Sequence, residues 1–343
     1  MNCMISSFVQ LAFLLAAGVD EKIKDKAESI FEDAYGFMDQ KFRESMADHV
    51  VKVIKMMIDL LSKGLSSGSG EFAPDGTEIP STNGFYSVVH NLMLYSPKTY
   101  SHGTVWENVT TVSTNLIVPI ATTLIAIIAV YDLYQMVVMS NSMHDFDSSI
   151  FVRWIIKTQI ALTLTANAFP ITEWIFQAGS DIAFNTDGWL TSLSGSVSVG
   201  STFKESLMKY SVGQLAVVWL LSWITVAAIF LMFAVIVVGL MGRLIEMYMY
   251  LAISPISLAT LLNNETKGIG DSWVRGALGL SFQVFFIIIA LMIFGGMFGS
   301  AVTNIANGTN IIWGFVTLSA YSITLIVTIL RSGQISKGMF GAH

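Results

Sequence analysis

Residues 213–242 read GQLAVVWLLSWITVAAIFLMFAVIVVGLMG, thirty positions without one Asp, Glu, Lys or Arg. A helix rises about 1.5 Å per residue, so the run exceeds the roughly 30 Å hydrocarbon core of a bilayer. Backbone in lipid has no water to bond, so such a run has to be helical. The stretch predicts an all-α integral membrane protein.

Similar runs lie on both sides of it. Val112–Met139 has Pro119 near its start, Phe151–Ala178 is interrupted by Lys157 and Pro170, and Ala277–Val302 and Ile311–Leu330 follow later. With 213–242 these make five expected transmembrane helices. Past Arg243 the apolar character resumes to Leu262, broken by Glu246 and Pro255. That segment is expected to lie at the membrane face or to continue the third helix. Residues 1–19 are a further apolar segment of marginal length for a span. First span or anchor, cleaved signal and interfacial helix all stay open for it.

The front of the chain is different. Residues 1–110 carry 9 Lys/Arg and 14 Asp/Glu, whereas 111–343 carry 9 and 10 over twice the length. Within 20–65, Ile23, Ile30, Phe31, Ala34, Phe37 and Met38, and then Val50, Val51, Ile54, Met57, Ile58 and Leu61, recur at three- and four-residue spacing. They predict an amphipathic helix or helical pair. Gly, Ser, Pro and Thr then dominate up to Asn83, as in a linker. The expected layout is therefore 1–19 anchor or signal, 20–65 amphipathic helical region, 66–111 linker and membrane approach, and 112–343 polytopic domain.

Short-loop Lys and Arg set orientation. With five spans and a cytoplasmic C-terminus, Arg153, Lys157, Lys267, Arg275, Arg331 and Lys337 fall inside, and Lys204 and Lys209 outside. Residues 20–110 are then expected to be extracytoplasmic.

Residue supply argues against enzymes. Charged residues are 12% of the chain, about half the ordinary share, and the net charge of −6 does not suit a bulk grip on nucleic acid. Cys3 is the only cysteine, and the five histidines (His49, His90, His102, His144, His343) lie outside the expected spans. No His-Glu-x-x-His motif or phosphate-cradling Gly-Lys loop is present. No cofactor or catalytic residue is expected. Met143–Asp147 groups one histidine with two carboxylates; a metal site is one reading, and helix capping by Asp145 or Asp147 is the plainer one. Tyr131-Asp132 and Gly268–Asp271 resemble, in order, the aspartate motifs of presenilin-type proteases, without that family's Pro-Ala-Leu element.

Ionisable residues in or near lipid are expensive and become functional candidates by default. Here they are Asp132, Arg153, Lys157, Glu173, Arg243 and Glu246, to which Pro255 is added as a helix breaker. Arg153 and Lys157 share a helix face, and Arg243 and Glu246 are i,i+3 neighbours. The bland reading is snorkelling and local ion pairing; the functional one is a polar seam that lines a conduit or docks a partner. Gly295, Gly296 and Gly299 are expected to allow close helix approach.

Three ordered stretches resemble the Firmicutes branch of the TrbL-like family of conjugative type IV secretion subunits. They are LIVPIA (116–121) with NSMHDFD (141–147), FVRWIIKT (151–158) and ANAF (166–169); YLAISPISLATL (250–261) with GLSFQ (279–283); and the tail RSGQISK (331–337) ending FGAH. Ser254 stands where Ala often precedes the proline, and Asp271-Ser272 where Gln-Asn is usual. The resemblance implies a membrane channel or scaffold subunit, homo-oligomeric, beside the path of a relaxase-bound single DNA strand. Its implied partners are the machine's ATPases, coupling protein and cell-wall-facing components. Its implied location is the plasma membrane of a Gram-positive cell. A secondary transporter or small-solute channel is the competing reading; it predicts inverted repeats, and no internal repeat is seen.

Overall fold

The computed structural model describes residues 21–65, 92–93, 96–100, 104–139, 148–187, 201–263, 265–308 and 310–342. The N-terminal apolar segment, the core of the linker, the Met143–Asp147 group and His343 lie outside the described residues.

The described elements are helices throughout: α1 (Glu21–Leu65), α2 (Pro97–Tyr100), α3 (Thr104–Val112), α4 (Val118–Met139), α5 (Ser148–Ala166), α6 (Ala168–Asp187), α7 (Ser201–Met208), α8 (Val212–Ala259), α9 (Lys267–Ala306) and α10 (Ile311–Met339). Among the described residues, four rods are long and apolar enough to cross a membrane: Thr104–Val138, Val212–Ala259, Lys267–Ala306 and Ile311–Met339.

The expected second span does not join that set. It is two helices, α5 and α6, divided at Asn167. Pro170 has no N–H for the carbonyl four residues back, at Ala166, and its ring crowds that carbonyl. The neighbouring bonds survive, from Asn167 N–H to Thr163 O and from Ile171 N–H to Asn167 O, each 3.1 Å. The break is therefore confined to one residue, and the helix resumes at Ala168. In the first rod, Pro119 is accommodated differently. Residues Ser113–Ile117 form a π-helical turn, closed by Val118 N–H to Ser113 O, which links α3 to α4.

The third expected helix is longer than the apolar run that announced it. A capping box starts α8, with Gln214 N–H donating to Ser211 Oγ and Ser211 N–H to Gln214 Oε1. The helix then runs for 48 residues, about 72 Å at the standard rise, so the doubtful segment after Arg243 continues it. Pro255 lies inside α8 and does not break it, against the expectation. The reason is Ser254, whose hydroxyl donates to Leu251 O at 2.8 Å. That is the carbonyl that the proline leaves without its usual N–H.

The largest core joins the second half of α1 to α7, α8, α9 and α10, with Ala47, Val50, Ile54 and Met57 buried among Leu215, Ile229, Leu291 and Phe315. A second core sets Trp106 of α3 and Phe169 and Phe176 of α6 against Met247, Leu251 and Leu280. A third closes the α4–α5 hairpin on the end of α8 through Ala121, Ile125, Ala161 and Ala259. Gly308 and Asn310, both with positive φ, make the tight turn from α9 to α10.

Only half of α1 finds this core. Ile30, Phe37 and Met38, which the pattern assigned to an apolar face, are exposed, and so is Phe42. Lys204 of α7 ties the helix midpoint through Asp48 at 2.6 Å, and this hydrogen bond raises the lysine pKa above its ordinary value. The front of the chain also touches α8 at two distant levels. Arg43 donates to Tyr210 O just before α8, whereas Tyr100 contacts Met241 and Tyr248 donates to Pro97 O. From 210 to 241 an upright helix climbs about 46 Å, more than a hydrocarbon core.

Candidate functional site: buried charge between the helices

The ionisable residues singled out in the sequence do not form one seam. They fall into separate contacts, and most of these join different helices.

At the end of the molecule where α4, α5, α8 and α9 meet their connecting turns, Asp132 is the hub. It is largely buried. Lys157 Nζ donates to Asp132 Oδ2 at 2.8 Å and Asn263 Nδ2 donates to Oδ1 at 2.7 Å. Both carboxylate oxygens are therefore used, one by the hairpin partner α5 and one by the turn after α8. Trp154 Nε1–H donates to Ala129 O at 2.9 Å, fixing the same pair of helices one turn away. Asn263 Oδ1 accepts from Glu265 N–H, and Gln135 reaches Glu265 across the gap. The presenilin-like reading gains nothing here, because the partners of Asp132 are an ammonium and an amide. Arg153, one turn before Lys157, is exposed. Among the described residues it has no ion pair.

Arg243 is the opposite case. Its side chain is almost wholly buried at 2% exposure. The spacing suggested Glu246 as its partner, but Nε donates to Leu280 O at 3.1 Å and Nη2 to Ser281 O at 3.3 Å, both on α9. A carbonyl has a second lone pair beyond its helical bond, so α9 accepts the guanidinium without unwinding. Nη1 has no hydrogen-bond partner among the described residues. Glu246 instead receives Lys337 Nζ from α10 at 2.9 Å.

Around Arg243 the backbones come close. A Cβ on Gly179 of α6 would lie 2.5 Å from Ser281 O, and one on Gly279 would lie 2.9 Å from Lys337 Cα. Ser281 Oγ–H donates to Ile175 O at 2.7 Å, Ser336 donates to Gly279 O, and Gln283 Nε2 to Ser332 Oγ at 3.1 Å. Arg243 is thus the centre of a knot that ties α6, α8, α9 and α10 through carbonyls and hydroxyls. Within this chain a Cβ on Gly296 or Gly299, two of the three glycines expected to allow close approach, would meet nothing within 4 Å.

Glu173 of α6 pairs with Lys98 of α2 at 2.9 Å, and that ammonium also lies over the Trp106 ring, 5.9 Å from its centroid. Pro255 is buried. Among the described residues no cluster of three or more His, Cys, Asp or Glu is placed to hold a metal.

Four apolar rods with interhelical charge describe a membrane protein, and comparison with known families supplies the rest. Residues 85–255 match the model of the family described as TrbL/VirB6 plasmid conjugal transfer like protein. The chain belongs to that family. The match runs from before α2 to Pro255, so Asp132, Arg153, Lys157, Glu173, Arg243 and Glu246 all fall within it. No curated protein matches the chain, and no solved structure does. Membership makes this membrane protein a component of conjugal transfer by type IV secretion.

Proposed function

We propose that the chain is a non-enzymatic channel or scaffold subunit of a conjugative type IV secretion machine. It assembles as a homo-oligomer in the plasma membrane of a Gram-positive cell and supports passage of a relaxase-bound single DNA strand. ATPases and a coupling protein supply the energy, and cell-wall-facing components receive the substrate. The observation that carries the reading is the family match over 85–255, which covers both partners of the Asp132–Lys157 and Lys98–Glu173 pairs.

The cytoplasmic end, in this reading, is the one that bears Asp132. Arg153 and Lys157 lie beside Leu258 and Leu261, Lys267 opens α9, Arg275 is against Gly341, and Lys337 is against Glu246. These cations gather along the last third of α8 or beyond it, while Lys204 lies by α7 at the other end. Positive residues favour the cytoplasmic side, which supports the assignment.

The test is deletion of the gene from its host element, scored for element transfer in mating, with complementation by the intact chain. Transfer should fall to background and return with the gene. Undiminished transfer in the deletion would overturn the proposal, and solute flux in liposomes would then test the transporter reading.

A further inference from the structure

The α4–α5 hairpin leaves a cleft of about 310 Å³ between α5 and the C-terminal end of α8. Its walls are Ile156, Ile160, Ala161 and Leu164 from α5 and Leu258 and Leu261 from the far side, with Arg153 and Lys157 at one end. The arrangement follows from helical period. Positions 153, 157, 160 and 164 fall on one face of α5, so a single stripe passes from two cations to two aliphatic side chains over about 16 Å.

Charge decides what suits such a cleft. Lys157 is already paired with Asp132, while Arg153 has no carboxylate partner among the described residues. Arg153, Lys157 and Asp132 together leave a net charge of +1. A lone phosphodiester carries about one negative charge, and the guanidinium has five donors for it. The aliphatic walls exclude a bare polyanion as occupant: the lining has no aromatic ring for a base to stack on. An apolar helix from a partner would leave Arg153 unanswered. The hairpin surface around the cleft is itself suited to lipid, with Phe151, Val152, Ile155 and Ile156 exposed. Basic pockets between membrane helices are general headgroup sites.

We propose that this cleft binds an anionic phospholipid of the bilayer, its phosphate on Arg153 and Lys157 and one acyl chain along Ile160 and Leu164. A zwitterionic lipid brings its own ammonium to the phosphate and is held less well. The inference rests on the cleft and does not depend on the conjugation reading.

The experiment uses the full chain purified in detergent and titrated with phosphatidylglycerol or phosphatidylcholine, with bound lipid counted by native mass spectrometry. Wild type should retain phosphatidylglycerol over phosphatidylcholine. Arg153→Gln should weaken phosphatidylglycerol binding by about tenfold, and Arg153→Lys should restore most of it. Ile160→Trp, which fills the apolar part and leaves both cations in place, should weaken it as well. Glycerol phosphate without acyl chains should not compete; full competition would mean an anion site and overturn the lipid. Equal retention of both lipids, or phosphatidylglycerol binding unchanged in both Arg153→Gln and Ile160→Trp, would overturn the proposal. Both variants should elute and melt as wild type in lipid-free detergent. Should Arg153→Gln fail to fold, the lipid preference of wild type and the Ile160→Trp titration decide.

Discussion

The Arg243 knot and the Asp132 hub solve one problem in two ways. Each takes a charge between apolar helices. At Asp132 a carboxylate meets an ammonium and an amide, and the ammonium keeps one side toward solvent, with 45% of the Lys157 side chain accessible. At Arg243 a fully covered guanidinium meets only neutral carbonyls, and helices pressed together through glycine do the holding. The hub is electrostatic and local to one hairpin and one turn. The knot is steric and joins four helices. Charge in a membrane protein is therefore a poor guide to where its stability lies; backbone proximity around the charge is a better one.

Gly179→Leu should break the contrast most severely. Its side chain would collide with the α9 backbone at Ser281, and overpacking of this kind costs about 3 kcal/mol. Thermal unfolding in detergent should show a collapse of the folded fraction; a wild-type melt would mean that α6 and α9 are not pressed together. Next comes the hub. Asp132→Leu strands Lys157 and Asn263 and should cost about 2 kcal/mol. In a double-mutant cycle, Asp132→Asn with Lys157→Met should show a coupling near 1 kcal/mol, and zero coupling would reduce the pair to a surface contact. Arg243→Met should change stability by only about 1 kcal/mol in either direction. It removes two hydrogen bonds but also an unpartnered buried N–H, and apolar replacement of buried charge is often neutral. A loss as large as that of Gly179→Leu would show that the guanidinium, not the packing, holds the knot. Ser254→Ala should be the mildest, about 0.5 kcal/mol, read as slightly faster hydrogen exchange around Leu251.

Much of the fold was legible because lipid allows so few structures. The uncharged run at 213–242 demanded a helix, and the continuation past Arg243 was among the expected outcomes. What the pattern missed depends on neighbours that only the folded chain supplies. Arg243 and Glu246 stand at pairing distance along one helix, yet each is claimed by another helix, α9 for the first and α10 for the second. Asp132 and Lys157 both stood out as costly, but nothing local says that residues 25 positions apart will meet. Pro170 was visible as an interruption and did divide its span. Pro255 looked equivalent and did not, because the preceding serine repairs the lost bond. That signal was present as the one departure from Ala before the proline. Gly296 and Gly299 are spaced for close approach, but that needs a facing backbone, and within this chain Gly179 and Gly279 have one.

The repaired bond at Ser254 has a mechanical side. With Pro255 stitched in, α8 is an unbroken rod of 48 residues reaching from the capping box at Ser211 to the turn that holds Asn263 against Asp132. A hinge at the proline would absorb movement at either end; a stiff rod conveys it. Tilted by about 5°, a lever of about 72 Å carries its tip roughly 6 Å sideways, about the spacing of one helical turn. The rod thus couples the region packed against α1 and α7 to the α4–α5 hairpin, which closes on its far end at Ala259.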